Sequence, residues 1–272
     1  MLHERMEIKV PDASDTAVLY TYLWSNSEEL YNGLTRPVIL ICPGGAYAMT
    51  SDREAEGIAL KFMAMGFHAA VLRYSVAPAV YPTALLQAAA AVQILRERAK
   101  EWYIDPDKII VQGSSAGGHL AASLGVFWKK KELWKLLGTD AWLTKPNGLI
   151  LSYPVITSGV YGHRESFRNL LGGSGNELER EMSLELQVDR DTPKTFIWHT
   201  FEDQTVPVEN SLLFVEALRR NGIPTEFHLF PRGIHGLGTA GRLSMSMDGR
   251  GIQKECEIWM QLAGAWVDTM IP

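Results

Sequence analysis

The sequence has few cysteines, few basic residues and no long apolar run, and each shortage excludes a class of protein. Its 272 residues include two cysteines, Cys42 and Cys256, which are too few for a disulfide framework or a cysteine-rich zinc site. We interpret both as ordinary thiols, although a single disulfide is compatible with the sequence. Lys and Arg number 26 against 31 Asp and Glu, so no basic surface is expected for nucleic acid.

Neither a membrane span nor a secretion signal is recognisable. The N-terminal segment MLHERMEIKV is charged and interrupted, and no stretch reaches the roughly 18 consecutive apolar residues of a spanning helix. We therefore expect a cytoplasmic protein with no membrane partner and no nucleic-acid partner.

Hydrophobic residues are plentiful enough for one large core. They make up 46% of the chain, and a domain of this size buries roughly 75% of its unfolded surface. No repeat, low-complexity tract or linker marks a second domain, so residues 1–272 are predicted to form a single domain. At about 154–193 a long segment with a Gly-rich patch and weak helical signal interrupts the pattern, which is typical of an insertion or lid.

Apolar segments alternate with amphipathic ones along most of the chain. An N-terminal hairpin precedes strands and helices in alternation, which predicts the α/β class: a mostly parallel sheet of about eight strands, the last six parallel, with helices on both faces. The predicted strands are 6–10, 16–24, 37–42, 67–74, 108–113, 147–155, 194–200 and 225–230, and the predicted helices lie near 53–65, 83–102, 115–128, 208–221 and 253–270.

One junction between a strand and a helix carries a serine motif. Residues 113–117 read GSSAG and match GxSxG, with an apolar strand before the motif and a helix after it. In that setting the central serine sits on a tight turn with its hydroxyl exposed, and the glycines let strand and helix pack closely. Ser115 is then a nucleophile, and a turn in which Ser115 only caps the helix is the alternative. His119, one helical turn further on, is expected to have a buried packing or hydrogen-bonding role.

A serine hydroxyl needs a general base, and that base needs an orienting carboxylate. Two later loops offer both. Asp203 follows the predicted strand at 194–200, and His235 follows the strand at 225–230. Both lie at the carboxyl ends of strands, where open α/β sheets place their sites. Glu202 competes for the acid role, and Asp203 is preferred because it directly precedes the QTVP turn.

A Gly-rich loop, CPGGAY (42–47), directly follows an early strand and can supply backbone donors for a tetrahedral oxyanion. Each such donor is typically worth about 3 kcal/mol in the transition state. The predicted oxyanion donors are the amides of Gly45, Ala46 and Ala116, and the predicted substrate contacts are Gly44 and Tyr47. A plain Pro-Gly-Gly turn is the alternative. A phosphate-binding loop is disfavoured, because no GxxxxGK[ST] motif accompanies the glycines.

Together these motifs resemble the α/β-hydrolase superfamily from about residue 17 to the C-terminus. The resemblance implies the α/β-hydrolase fold and carboxylester hydrolysis by Ser115, Asp203 and His235, with no cofactor and no metal. The lipase-type loop usually reads HGGG, whereas here Pro43 and Ala46 take its first and last positions. The segments ICPGGAY (41–47), VLRYSVAP (71–78), DPDKIIVQGSSAGGHLAA (105–122), HTFEDQTVPVENS (199–211) and FPRGIHGLG (230–238) are similar to serine esterases of the acetyl-xylan esterase and feruloyl-esterase-like group, which is related to the hormone-sensitive-lipase type.

The expected substrate is a small-molecule or oligosaccharide ester, and the resemblance alone implies an acetyl group on a carbohydrate. Short acyl chains are expected because the segment at 156–192 is largely polar and offers no hydrophobic lid. Two alternatives remain open: an amide hydrolase similar to arylformamidases, and a non-catalytic ligand-binding protein on a hydrolase scaffold. A homodimer is compatible with the sequence.

Overall fold

A computed structural model describes residues 1–13, 15–30 and 33–270, and within them eight strands form one mixed sheet. The strands are β1 (Arg5–Ile8), β2 (Ala17–Tyr22), β3 (Arg36–Cys42), β4 (His68–Arg73), β5 (Ile104–Ser114), β6 (Gly148–Ser152), β7 (Thr195–Thr200) and β8 (Thr225–Phe230). The α-helices are α1 (Glu56–Ala64), α2 (Thr83–Glu97), α3 (Ala99–Trp102), α4 (Ala116–Phe127), α5 (Lys131–Leu137), α6 (Ala141–Thr144), α7 (Arg164–Leu171), α8 (Asn176–Glu181), α9 (Glu209–Arg220) and α10 (Trp259–Asp268). Across these described ranges, no helix is both long and apolar enough to cross a bilayer.

The six strands from β3 to β8 run parallel. β3 lies between β4 and β5, and β6, β7 and β8 follow in order. β2 pairs antiparallel with both β1 and β4, so the sheet order is β1-β2-β4-β3-β5-β6-β7-β8. The predicted fold class, a mostly parallel sheet of eight strands with the last six parallel, is confirmed.

Helices cover both faces of the sheet, as the alternating side chains of β3 show. Successive side chains of a strand point to opposite faces. Val38 and Leu40 therefore pack into the core that α2, α4 and α9 cover, while Ile39 and Ile41 pack into the core that α1 and α10 cover. All seven residues of β3 are buried, as expected for a parallel strand that is covered on both faces.

The two cysteines lie in different cores. Cys42 belongs to the core under α2 and α4, and Cys256 belongs to the core under α10. Burial raises the pKa of each thiol to about 12. A thiol that stays protonated is a poor nucleophile, which fits the interpretation of both residues as ordinary thiols.

The largest differences from the predicted element boundaries occur in three places. β5 begins at Ile104 rather than at 108, and its register with β3 shifts before Ile109. The Asp-Pro-Asp segment at 105–107, which lies outside the predicted strand, is therefore an irregularity inside β5, because Pro106 has no N–H to donate to a ladder. The long helix predicted at 83–102 divides at Arg98 into α2 and α3. The last helix begins at Trp259 rather than near 253.

The segment at 154–193 contains two helices that its sequence signalled only weakly. α7 buries Phe167, Leu170 and Leu171 against the core, and α8 buries none of its side chains. An apolar stripe of three residues on one short helix gives little periodicity to detect. α5 and α6, between α4 and β6, were also absent from the predicted elements.

Candidate active site

Ser115 lies on a sharp turn between β5, which ends at Ser114, and α4, which begins at Ala116. Its backbone has φ 55° and ψ −120°, a conformation that costs a residue with a side chain of order 1–3 kcal/mol. The turn is held because the Ser115 amide donates to Ser152 O at 3.0 Å and the Ser115 carbonyl accepts from the amides of His119 and Val155, each at 3.1 Å. The surrounding structure therefore fixes a strained serine at the carboxyl edge of the sheet.

The two glycines of the motif are sterically required. A Cβ on Gly113 would lie 2.0 Å from the carbonyl oxygen of Gly117, and a Cβ on Gly117 would lie 2.0 Å from the carbonyl oxygen of Cys42. Both obstacles are backbone atoms, which cannot rotate away as a side chain can. The close approach of β5, α4 and β3 around Ser115 thus depends on these positions having no side chain.

His235 and Asp203 form one hydrogen-bonded chain with Ser115. The Nε2 atom of His235 lies 2.8 Å from Ser115 Oγ, and its Nδ1 lies 2.6 Å from Asp203 Oδ2. A carboxylate can only accept, so Nδ1 carries the proton and Nε2 is free to accept from the serine hydroxyl. The structure thus brings together the three residues that the sequence singled out.

The environment of Asp203 keeps its carboxyl ionised. Burial alone would raise its pKa, but hydrogen bonds from His199 and His235 outweigh burial and hold the pKa of Asp203 well below its ordinary value. Its second oxygen, Oδ1, accepts from the amides of Thr205 and Val206, each at 2.9 Å. Glu202, the competing acid, is exposed and its carboxylate accepts from the amide of Gly233.

His199 supports the position of Asp203, a role that was not predicted from the sequence. Its Nε2 donates to the carbonyl of Val206 at 3.0 Å and lies 3.4 Å from Asp203 Oδ2, and its Nδ1 accepts from Ser211 Oγ at 2.8 Å. The ring therefore braces the loop that carries Asp203. A histidine placed near the end of a buried strand, four residues before the acid, was the available signal.

The Gly-rich loop after β3 has an unusual backbone conformation and lines the same cavity as Ser115. Gly45 has φ +129°, and Ala46 and Tyr47 each have φ +56°, a region that costs a non-glycine residue roughly 1–2 kcal/mol. The carbonyls are held elsewhere: Ala46 O accepts from Asn169 Nδ2 at 2.8 Å, and Tyr47 O accepts from the Ala77 amide at 2.7 Å.

Three amides near the serine are available as donors. Within the described residues, the amides of Gly45 and Ala46 donate to no protein acceptor. The third, Ala116, opens α4, so it has no partner inside its helix. These are the three amides that the sequence analysis predicts as donors to an oxyanion. Ala46 adopts a left-handed conformation that an alanine can reach.

Gly44 and Tyr47, the two expected substrate contacts, do not line the cavity beside Ser115. The Gly44 amide donates to Glu54 Oε2 at 2.9 Å. Tyr47 is 3% exposed, and its hydroxyl donates to His119 Nδ1 at 3.0 Å. The structure does not bring either residue to the cavity beside Ser115, because the backbone conformation of the loop directs the Tyr47 ring into the core.

His119 has the buried hydrogen-bonding role that was expected of it. Its Nε2 donates to the carbonyl of Met182 at 2.9 Å, and burial lowers its pKa to about 4. The ring is thus neutral and joins α4 both to the Gly-rich loop through Tyr47 and to the segment that follows α8.

A cavity of about 400 Å³ opens over the serine. His163 and Glu165, at the start of α7, line it together with Arg53, so the segment at 154–193 contributes polar groups to its rim. Burial and the nearby His235 lower the pKa of His163. The other lining residues are Gly45, Ala46, Ala48, Met49, Ser51, Glu54, Ser115, Thr205, His235 and Gly236. A larger cleft of about 530 Å³ is lined by Tyr20, Tyr22 and Arg73, outside this group. No cluster of His, Cys, Asp and Glu suited to a metal ion occurs within the described part of the chain.

Comparison with known proteins gives concordant matches. A family described as alpha/beta hydrolase fold matches residues 39–238. Endo-1,4-beta-xylanase B of Butyrivibrio fibrisolvens is 39% identical over 232 residues, which is 82% of this chain and 35% of that protein. An acetylxylan esterase of Xylanibacter ruminicola is 28% identical over 203 residues, 72% of this chain and 40% of that protein. The chain therefore spans well under half the length of these two relatives.

Two solved structures match over nearly the whole chain. An acetyl ester-xyloside bifunctional hydrolase from Caldicellulosiruptor lactoaceticus has 34% identity and a TM-score of 0.81, with 96% of this chain and 90% of that chain covered. A carboxylesterase from Lactobacillus plantarum has 28% identity and a TM-score of 0.88, with 99% and 98% covered.

Proposed function

This chain belongs to the α/β-hydrolase family, and from that premise we propose that it is a serine carboxylesterase that removes short acyl groups, acetyl groups on carbohydrates among them. The observation that carries the proposal is the continuous hydrogen-bonded chain Asp203–His235–Ser115, which ends at a cavity beside unpaired amides. Acyl transfer requires a nucleophile, a base and an orienting acid in such an arrangement, which supports the proposal.

In the first step, Ser115 Oγ attacks the ester carbonyl carbon while His235 Nε2 takes the hydroxyl proton. The carbonyl oxygen becomes an oxyanion, and the amides of Gly45, Ala46 and Ala116 are the donors that stabilise it. The imidazolium is stabilised by Asp203, which stays ionised. When the tetrahedral intermediate collapses, His235 gives its proton to the leaving alcohol and an acyl-serine remains.

In the second step, a water molecule takes the place of the alcohol. His235 removes a proton from the water, the resulting hydroxide adds to the acyl carbon, and the proton then passes to Ser115 Oγ as the acid leaves. The enzyme returns to its starting state, and both steps proceed with Ser115, His235, the ester and water, without a cofactor.

The polar residues at the rim of the cavity favour an ester whose alcohol portion is polar. Arg53, His163 and Glu165 offer hydrogen-bond donors and acceptors there, which suits a sugar bearing free hydroxyls better than a lipid. The names of the relatives agree with this chemistry, since one is an acetylxylan esterase and one solved structure is an acetyl ester-xyloside hydrolase.

Covalent labelling tests the proposed reaction class. A fluorophosphonate reacts with an activated serine, so peptide mass spectrometry of the labelled protein should locate the probe on Ser115, with Ser115→Ala as the unlabelled control. Absence of labelling contradicts the serine esterase and favours the non-catalytic binding protein.

A substrate panel then separates the ester class from the amide class. Acetylated xylo-oligosaccharides, p-nitrophenyl acetate and an aryl formamide should be compared at equal enzyme concentration. We expect the esters to be hydrolysed and the formamide to be hydrolysed far more slowly. A formamide with the highest kcat/KM of the three would replace the proposal with the arylformamidase-like alternative.

A further inference from the structure

Glu54 is a buried carboxylate that takes no part in the two-step reaction described above. It ends a short 3-10 turn just before α1 and is 4% exposed, yet it borders the cavity beside Ser115. Among the described residues, its hydrogen-bond partners are two neutral donors rather than a lysine or an arginine. Burying a carboxylate without a cation destabilises a fold, so its presence at this position suggests a role in function.

One oxygen of Glu54 holds the loop that provides the oxyanion donors. Oε2 accepts from the Gly44 amide at 2.9 Å. A Cβ on Gly44 would lie 2.5 Å from that oxygen and 2.9 Å from Ser115 Cβ, so the backbone at Gly44 is packed between the carboxylate and the serine. The neighbouring amides of Gly45 and Ala46 are therefore fixed relative to Ser115 through this contact.

The other oxygen holds the loop that carries the base. Oε1 accepts from the Tyr153 hydroxyl at 2.8 Å, and the same hydroxyl accepts from the Gly238 amide at 2.7 Å. The Tyr153 ring also packs edge-on against the His235 ring, with centroids 5.1 Å apart. Burial and the charge of Glu54 raise the pKa of Tyr153 well above its ordinary value, so the phenol remains a donor to the carboxylate.

We infer that Glu54 is a positioning residue for the esterase reaction, because it joins the loops after β3, β6 and β8 and so fixes the oxyanion amides and the base relative to each other. The inference rests on the proposed function. A carboxylate suits this position because it accepts from two donors at once. A glutamine has one acceptor oxygen, and its NH₂ group would face a donor.

The effect should appear in the transition state rather than in substrate binding. Oxyanion donors act on charge that develops only as the reaction proceeds. Loss of a single donor costs roughly a hundredfold or more in kcat, and a displaced loop weakens its donors without deleting them. For Glu54→Gln we therefore expect kcat on p-nitrophenyl acetate to fall about ten- to a hundredfold, with KM within about twofold of wild type.

The experiment compares wild type, Glu54→Gln and Tyr153→Phe with Glu56→Gln as the matched control. Glu56 lies two residues further on, in the first turn of α1, and its carboxylate is exposed. Circular dichroism and thermal melting establish folding. Steady-state kinetics are combined with the affinity for phenylboronic acid, which forms a tetrahedral adduct on a nucleophilic serine and so reports on the oxyanion site.

In Glu54→Gln the boronic acid should bind more weakly by about the same factor as kcat falls, and Glu56→Gln should match wild type in both. Tyr153→Phe keeps the ring against His235 and should show the same pattern more mildly, which preserves the test if Glu54→Gln does not fold. A folded Glu54→Gln with wild-type kcat and boronic acid affinity overturns the inference, as does a loss confined to KM or shared by Glu56→Gln. Failure of the proposed function is visible separately, as a wild-type protein that hydrolyses no ester.

Discussion

His235 Nε2 lies 2.8 Å from Ser115 Oγ, although 120 residues separate the two in the chain. The contact follows from the topology of the sheet. Ser115 follows β5 and His235 follows β8, and the parallel strands β5, β6, β7 and β8 end at the same edge. Side chains in loops at that edge converge on one site, which brings a base to a serine from a distant part of the sequence.

Replacing the central serine of the motif should abolish activity and spare the fold. Ser115→Ala is expected to reduce hydrolysis of p-nitrophenyl acetate by at least about a thousandfold. Ser114 is the matched control, because it is fully buried at the end of β5 and its hydroxyl accepts from Gln112 Nε2 at 3.1 Å. Ser114→Ala should keep most of the activity. Equal losses in the two variants would show that the nucleophile has been assigned wrongly.

The base and its acid should behave as one unit with the serine. His235→Ala should be nearly as damaging as Ser115→Ala, and the double variant should be no worse than either single one, since residues that act together do not contribute additively. Asp203→Asn should be somewhat milder, because the imidazole remains but its Nδ1 loses a charged acceptor. The measurement is kcat/KM on p-nitrophenyl acetate, and wild-type turnover in His235→Ala would contradict the assignment.

Activity should be lost in acid, because only a neutral imidazole can accept the serine proton. The other groups nearby should not add a limb near neutrality: the pKa of Asp203 is held well below its ordinary value, and that of His119 is lowered to about 4. The profile of kcat/KM should therefore keep its shape in His163→Gln, whose native ring also has a lowered pKa. A limb that disappears in this variant would reassign the titration to His163.

The sequence was sufficient for those features that depend on local pattern. The parallel strands were predicted by their apolar runs, and Ser115, Asp203 and His235 were proposed because each follows a strand at the same edge. Contacts between distant segments left no such pattern. The bond from Tyr153 to Glu54 spans 99 residues, and neither residue matches a motif. Tyr47 was expected at the substrate because it ends the Gly-rich loop, but its left-handed backbone turns the ring inward, and a φ angle cannot be read from a residue type.

The packing around Ser115 should make Gly117 intolerant of a single methyl group. Gly117→Ala places a Cβ against the Cys42 carbonyl, whereas Gly175→Ala, just before α8, meets no atom within 4 Å. Overpacking typically costs about 1–3 kcal/mol and occasionally more, and the obstacle here is backbone, so the free energy of unfolding of Gly117→Ala should fall by about 3 kcal/mol or more. Chemical denaturation compares the two variants, and a Gly117→Ala protein as stable as Gly175→Ala would show that strand and helix can separate without cost.

Acyl length should be limited because the segment at 154–193 adds polar rather than apolar side chains to the cavity. A long chain gains about 0.8 kcal/mol for each methylene that it buries, but only where an apolar trough receives it. α7 turns its apolar residues, Phe167 among them, into the core, and α8 buries none of its own side chains. The rim instead presents Arg53 and Glu165. We therefore expect acetyl and butyryl esters of p-nitrophenol to be preferred, with kcat/KM falling steeply at octanoyl and no activation by a lipid interface. A kcat/KM for p-nitrophenyl octanoate above that for p-nitrophenyl acetate would contradict this expectation and indicate an apolar surface that receives the acyl chain.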